Sequence, residues 1–244
     1  VARPSRAYRS VNTAIGRAIG DYAMIEAGDR ILVAVSGGTD SLVLLWMLRR
    51  RQRWSPVSYS LLPVYIDPGF PGDRGRAAAA FCESLGLPLE VVRTDDGVRA
   101  HSPENLENPC FFCSRRRRRR LFEIAEAGEC RKIALGHNQD DIIETFFINV
   151  CYAGEIGTMV PAQSFFEQRF AIIRPLAYAP AATVRRLARE IDLPRIPNPC
   201  PSAENSRRRQ VRDMLAALYR TNRKIRGNVF NALRNVKREY LLKP

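Results

Sequence analysis

RILVAVSGGTDS, residues 30–41, is the stretch that decides the fold of this chain. Ile31 to Val35 are consecutive apolar residues rich in Val and Ile, and a run without polar alternation reads as a strand buried on both faces. Such strands belong to parallel sheets covered by helices. The strand runs into Ser36-Gly37-Gly38, and the segment Leu42–Arg51 has the length and apolar content of a helix. Working outward, strands are predicted at Tyr59–Ile66, Leu89–Arg93, Lys132–Leu135 and Phe170–Ile173. They alternate with helices at Arg74–Leu85, Ser114–Ala127 and about Asp140 to Tyr152. Upstream, Val11, Ala14, Ile15, Ala18 and Ile19 fall at helical spacing. The alternation predicts an α/β fold: an open, mainly parallel sheet with helices on both faces, plus an N-terminal helix and a C-terminal helical extension. Beyond Ala179 the chain becomes Arg-rich, with helices predicted at Ala182–Ile191, Ser206–Arg220 and Arg223–Leu241. Residues 1–179 therefore read as a core and 180–244 as a basic extension packed on it.

Ligands of such sheets bind outside the carboxyl ends of the strands. The loops after Val35, Ile66 and Leu135 all fall at that edge. In the first, two glycines let the backbone approach a ligand closely, and Ser36 and Ser41 offer hydroxyls. The first N–H groups of the following helix, with its positive dipole end, face the same space, which makes an anion site. The spacing is neither GxxxxGK[ST] nor GxGxxG. The loop after Leu135 carries GHNQDD, residues 136–141. Paired carboxylates near a triphosphate suit a magnesium ion, while a helix start acidified for its dipole is the plainer reading; one carboxylate can serve each purpose.

Six cysteines in a chain this long and apolar do not make a disulfide scaffold. Cys82, Cys130 and Cys151 read as small buried hydrophobes. Cys110 and Cys113 form a CxxC at a predicted helix start, where the dipole favours thiolate. A second pair to complete a four-ligand zinc site is missing. Cys200 sits in the proline-flanked segment NPCP, where packing gives no reason for a thiol. Three thiolates would leave a cuboidal iron–sulfur cluster with one open iron.

SGGTDS after the first strand resembles the pyrophosphate loop of the PP-loop ATP pyrophosphatases, and GHNQDD, Glu144-Thr145 and IRPL at 173–176 resemble motifs of their tRNA-modifying branch. With CFFCSRRRRRR at 110–120, ALGHNQDD at 134–141, IRPLAY at 173–178, and NPC at 198–200 ahead of RRRQVRDML, the chain resembles the tRNA 2-thiocytidine synthetases over roughly residues 28 to 220. The resemblance implies an adenine nucleotide alpha hydrolase-like PP-loop fold, with ATP, Mg2+ and a 4Fe-4S cluster having one open iron site. It implies adenylation of the C2 oxygen of an anticodon-loop cytidine and its replacement by sulfur, with release of AMP and pyrophosphate. Carried over by position, Cys110, Cys113 and Cys200 would hold the cluster. Ser36, Gly37, Gly38, Thr39, Asp40, Ser41, Asp67, Gly136, His137 and Arg174 would bind ATP and its pyrophosphate. Asp40, Asp140 and Asp141 would be catalytic, with Asp40 and Asp141 the magnesium ligands. It also implies a sulfur donor such as a cysteine desulfurase, and leaves room for a homodimer. Thr39 stands where that family usually has Lys. A uridine-type tRNA thiolase is the nearest alternative; an iron–sulfur redox-sensing RNA-binding protein with a degenerate ATP site is an alternative of another class.

The chain has 244 residues, 39 Lys plus Arg against 25 Asp plus Glu, and a formal charge of +14. That surplus favours a polyanionic partner. Arg115–Arg120 sweep the whole helix circumference at about 100° per residue, so they cannot form one solvated face. Arg115, Arg116, Arg118, Arg119, Arg207, Arg208 and Arg209 are read as contacts to RNA phosphates. No apolar run reaches the roughly 20 residues of a membrane span. A cytoplasmic protein that binds tRNA and no membrane is the resulting expectation.

Overall fold

The computed structural model describes residues 3–203 and 206–242. Among these the strands are β1 (Asp29–Ala34), β2 (Tyr59–Asp67), β3 (Glu90–Arg93), β4 (Lys132–Ala134), β5 (Ala162–Phe165) and β6 (Phe170–Ile173). The helices are α1 (Arg6–Asp21), α2 (Thr39–Arg51), α3 (Arg74–Ser84), α4 (Asp96–Ala100), α5 (Pro109–Ala127), α6 (Gln139–Tyr152), α7 (Ala181–Glu190), α8 (Arg207–Thr221) and α9 (Ile225–Ala232). The strands form one sheet in the order β3-β2-β1-β4-β6-β5. Every neighbouring pair is parallel except β5 and β6, so the sheet is mainly parallel, as the sequence predicts.

Strand β1 is the axis, and its pleat sends alternate side chains into different cores. Ile31 and Val33 join the apolar cluster that includes Val11 and Ile15 of α1, Leu44 and Leu48 of α2, Ala78 of α3 and Val184 and Leu187 of α7. Leu32 joins the cluster on the other face, with Val64, Ile133, Ile172 and Leu121 and Ala125 of α5. Both faces of the apolar run are therefore covered. A third cluster knits Ile142 and Ile143 of α6 to Val211 and Leu215 of α8 and Phe230 of α9. Helix α7 lies beyond residue 179, yet Val184 and Leu187 are fully buried in the same core as α1 and α2.

The order in which strands are added to the sheet reverses between β1 and β4: β2 and β3 lie on one side of β1, and β4 opens the other. This is the switch point at which an open α/β sheet splits to form a crevice. Helices α2 and α6 begin there. Gly136, after β4, presses against the first turn of α2 so closely that an added Cβ would lie 2.8 Å from the Ser41 nitrogen and 2.9 Å from the Asp40 carbonyl carbon. Only a hydrogen fits.

Four local differences from the sequence reading have simple causes. Strand β5 escapes prediction because Ala162-Gln163-Ser164-Phe165 is short and half polar. Helix α4 is a single short turn-and-a-bit built on a polar segment. Helix α5 starts at Pro109, earlier than predicted, because Asn108 accepts hydrogen bonds from the Cys110 and Phe111 N–H groups and Pro occupies the first helical position. The predicted helix Arg223–Leu241 breaks: α9 ends at Ala232 and a 3-10 turn follows at Arg238–Tyr240. Gly227, Asn228, Asn231 and Asn235 depress helix propensity throughout that segment.

Replacing Gly136 by Ala should lower stability by about 2 kcal/mol, because backbone rather than a flexible side chain must yield. For a chain of this size that is a Tm decrease of about 4–8 °C in a thermal melt. Gly20→Ala, which meets nothing within 4 Å, should not lower Tm.

Candidate functional site

Residues 36–41 wrap the amino end of α2. Gly38 is the helix cap and no side chain caps the helix, leaving its first N–H groups to an incoming anion. Gly37 adopts φ +78°, a left-handed conformation that glycine accepts without strain. Ser41 organises the loop: its Oγ accepts from the Ser36 N–H at 3.1 Å, contacts Ser36 Oγ at 3.2 Å and donates to the Gly38 carbonyl at 2.8 Å. The Gly38 N–H donates to Ser36 Oγ at 3.3 Å. Thr39 is exposed at the loop's crest. Ile196 lies over Gly37, where a Cβ would meet its side chain at 3.2 Å. The chain that leads to Cys200 thus crosses the Ser36–Ser41 loop four residues earlier.

The three aspartates have separate situations. Asp141 completes a capping box on α6: its Oδ2 accepts from the Asn138 N–H at 2.9 Å, while Asn138 Oδ1 accepts from the Asp140 and Asp141 N–H groups. Asp40 accepts from Asn138 Nδ2 at 3.2 Å. Burial, then the neighbouring Asp141 charge, pushes the Asp40 carboxyl up to about 6. Asp141 is also raised, chiefly by burial. Two half-buried carboxylates that repel each other beside a phosphate loop are a donor set that fits Mg2+, a hard cation bound through one or two carboxylates plus phosphate oxygens. Asp140 is turned elsewhere. Its Oδ2 accepts from the Ala181 N–H at 2.7 Å and its Oδ1 pairs with Arg226 at 3.0 Å, fastening α7 and α9 to the start of α6. Asp67, at the end of β2, accepts from the Gly69 N–H at 3.0 Å and shapes its own turn.

His137 follows Gly136 into the crevice. Arg174 donates from Nε to His137 Nδ1 at 3.3 Å and from Nη1 to the Val160 carbonyl. Burial and the positive charges of Arg174, Arg117, Arg208 and Arg118 push the imidazole down to about 3, so it is neutral at pH 7. Arg174 is itself buried, which lowers it to about 10; it stays charged.

All six cysteines are free. Cys110 is exposed and Cys113 partly buried in the first turns of α5; Cys200 is partly buried just before a 3-10 turn at Pro201–Ala203. Cys200 is near enough to Cys110 and Cys113 to raise both of their thiols electrostatically. Burial is the largest influence on both helical thiols and raises them. Among the described residues no group of three or more His, Cys, Asp or Glu side chains closes around a single metal ion. A cuboidal cluster, whose cysteines each bind a different iron, needs a wider spacing, and an all-thiol donor set is its chemistry. Cys82 and Cys130 are buried as predicted, but Cys151 is exposed near the end of α6.

The arginines divide by partner. Arg116 and Arg120 reach the buried Asp96 of α4, at 3.1 and 3.7 Å. Arg115 pairs with Glu107 and Arg119 with Glu123. Arg207 lies over the Tyr152 ring, Arg209 pairs with Asp213, and Arg208 bridges Asp141, Glu144 and the Thr145 hydroxyl. Arg118, together with Arg117 from outside the expected set, directs its charge at His137. Glu144, buried in an apolar helix, takes a two-pronged contact from Arg212 at 2.7 and 3.0 Å. A lone carboxylate within IIETFFINV was the available signal for that clamp. Asp96 and Ile196 gave none, since their partners are distant in sequence. Phe111, 58% exposed, lines an apolar groove of about 610 Å³ with Phe122, Phe165 and Phe166.

A family profile described as the PP-loop domain matches residues 8–218. The tRNA-cytidine(32) 2-sulfurtransferase of Methylobacillus flagellatus is 39% identical over 235 residues, 95% of this chain and 77% of the relative. That of Syntrophotalea carbinolica is 36% identical over 240 residues, 97% of this chain and 93% of the relative. Among solved structures, the U34-tRNA thiolase NcsA from Methanococcus maripaludis, with its 4Fe-4S cluster, matches with TM-score 0.78 and 23% identity, covering 97% of this chain and 80% of that one. This last likeness is one of fold. Among the described residues no helix is long and apolar enough to cross a membrane.

The depressed His137 gives a pH test. An unfolded chain binds a proton there below about pH 6.5 while the folded chain does so only near 3, so stability falls as pH drops through that window. Between pH 7 and pH 5, urea unfolding should show a loss of about 1–2 kcal/mol in the wild type beyond that in His137→Gln, which keeps an acceptor for Arg174.

Proposed function

We infer that this chain, which belongs to the PP-loop domain family and within it to the tRNA-cytidine(32) 2-sulfurtransferases, spends ATP to activate an anticodon-loop cytidine of tRNA and replaces its 2-oxygen with sulfur. The reading is supported by a bare helix start looped by Ser36–Ser41, by Ile196, four residues before Cys200, lying over Gly37 of that loop, and by the electrostatic influence of Cys200 on Cys110 and Cys113.

The loop's N–H groups, the Ser36 and Ser41 hydroxyls and the α2 dipole cradle the β- and γ-phosphates of ATP. Neutral His137, oriented by Arg174, shapes the nucleotide pocket without competing for protons. The cytidine O2 attacks the α-phosphorus, the bond to pyrophosphate breaks, and the leaving pyrophosphate is held by donors already in place. Sulfur then adds at C2, the C–O bond breaks and AMP departs. Asp40 and Asp141 would hold Mg2+, which would neutralise charge on the phosphates. Asp140 positions α7 and α9 through Ala181 and Arg226. Cys110, Cys113 and Cys200 would hold a 4Fe-4S cluster, which when bound offers one iron outside cysteine ligation where sulfide can be carried. The arginines of α5 and α8 fit tRNA phosphates, Arg117 and Arg118 among them. A reducing cytoplasm, a sulfur donor such as a cysteine desulfurase, and assembly as a homodimer complete the reading.

Anaerobically purified chain, reconstituted with iron and sulfide, should consume ATP to AMP and pyrophosphate only when tRNA is present. Changing any one of Cys110, Cys113 or Cys200 to Ser should cut 2-thiocytidine formation by about 100-fold and bleach the cluster's visible absorption while leaving ATP binding intact. Full thiolation by all three variants would contradict the assignment of the thiols.

A further inference from the structure

Residues 36–41 contain no basic side chain, and their one ionisable group is Asp40. Pyrophosphate leaving that loop gathers negative charge beside a carboxylate, so any side-chain cation that joins Mg2+ in neutralising it comes from another element. A polar cavity of about 460 Å³ opens at the Asp40 end, walled by α6, α7 and α8. Four arginines line it: Arg185, Arg209, Arg212 and Arg226. Three are committed. Arg209 pairs with Asp213 at 3.1 Å, Arg212 with Glu144 at 2.7 Å and Arg226 with Asp140 at 3.0 Å. Arg185 is exposed and has no carboxylate partner among the described residues. It lies one helical turn beyond Ala181, whose N–H is tied to Asp140 at 2.7 Å, and α7 packs against α2. Its place is therefore fixed from two sides while its guanidinium stays free. Its charge also acts on Asp40, favouring the carboxylate form.

We propose that Arg185 is the cation that receives the pyrophosphate portion of ATP, doing from α7 what the uncharged Thr39 cannot do from the loop itself. The guanidinium presents a planar fork suited to two phosphate oxygens at once. Because Thr39 is exposed at the first position of α2, beside Asp40 of the cavity wall, a lysine there would restore a positive charge next to the loop. The proposal rests on the reading that the loop binds ATP.

The test measures the Michaelis constant for ATP, product inhibition by pyrophosphate, and the Michaelis constant for tRNA, using the full chain with Mg2+ and tRNA. Arg185→Gln should raise the ATP and pyrophosphate constants together by about tenfold, the loss of one charge-assisted contact, and leave the tRNA constant unchanged. Adding Thr39→Lys to Arg185→Gln should bring both constants back to within about threefold of wild type. Unchanged ATP and pyrophosphate constants, a loss confined to the tRNA constant, or failure of the lysine to rescue would each overturn the proposal. Wild-type chain that does not bind ATP at all would overturn the loop's assignment as well, so the two failures are distinguishable.

Discussion

The contact of Gly136 with the backbone of Asp40 and Ser41 is the constraint on which the rest of the site depends. It lets two loops, one from each side of the switch point, meet at less than the distance a methyl group would permit. Helices α2 and α6 therefore start side by side with both positive dipole ends directed at the crevice. Asn138 exploits that proximity: one side chain caps α6 through its oxygen and holds Asp40 through its nitrogen. If the loops were an ångström further apart, the 3.2 Å hydrogen bond from Asn138 to Asp40 would be lost.

Around this junction, charge is arranged in layers. Carboxylates lie closest to the helix starts, and arginines from later elements close over them: Arg226 on Asp140, Arg208 on Asp141, Arg212 on Glu144. Buried or half-buried pairs of this kind contribute little net stability, because desolvation offsets most of the attraction, but removing one partner is costly. Their effect is to dock α8 and α9 in one orientation. That docking carries the basic C-terminal helices to the start of α6, at the switch point of the sheet. The +14 surplus is thus partly structural, and the guanidinium groups left for a polyanion are fewer than the composition suggests.

The sheet was legible in the sequence because its determinants are local. An apolar run, a Gly-rich turn and a helix-length segment suffice for β1 and α2, and repetition of the pattern supplies the parallel order. The Ser36–Ser41 turn and the uncapped start of α2 were legible for the same reason. Cys200 stood out because a thiol between prolines has no packing purpose. What escaped depends on contacts between distant residues: Arg116 with Asp96, Ile196 on Gly37, and the diversion of Asp140 to Ala181 and Arg226. GHNQDD presents two equivalent aspartates on paper, and only three-dimensional neighbours separate an anchor from a site-facing carboxylate. The C-terminal segment misled because its arginines favour helix, whereas its glycine and asparagines weaken it and α9 stops at Ala232.

The chemistry itself is tested most directly by nucleoside mass spectrometry of tRNA from cells lacking this chain, beside cells carrying it again on a plasmid. The account predicts that 2-thiocytidine disappears on deletion and returns with the wild-type chain. Undiminished 2-thiocytidine in the deletion cells would contradict it.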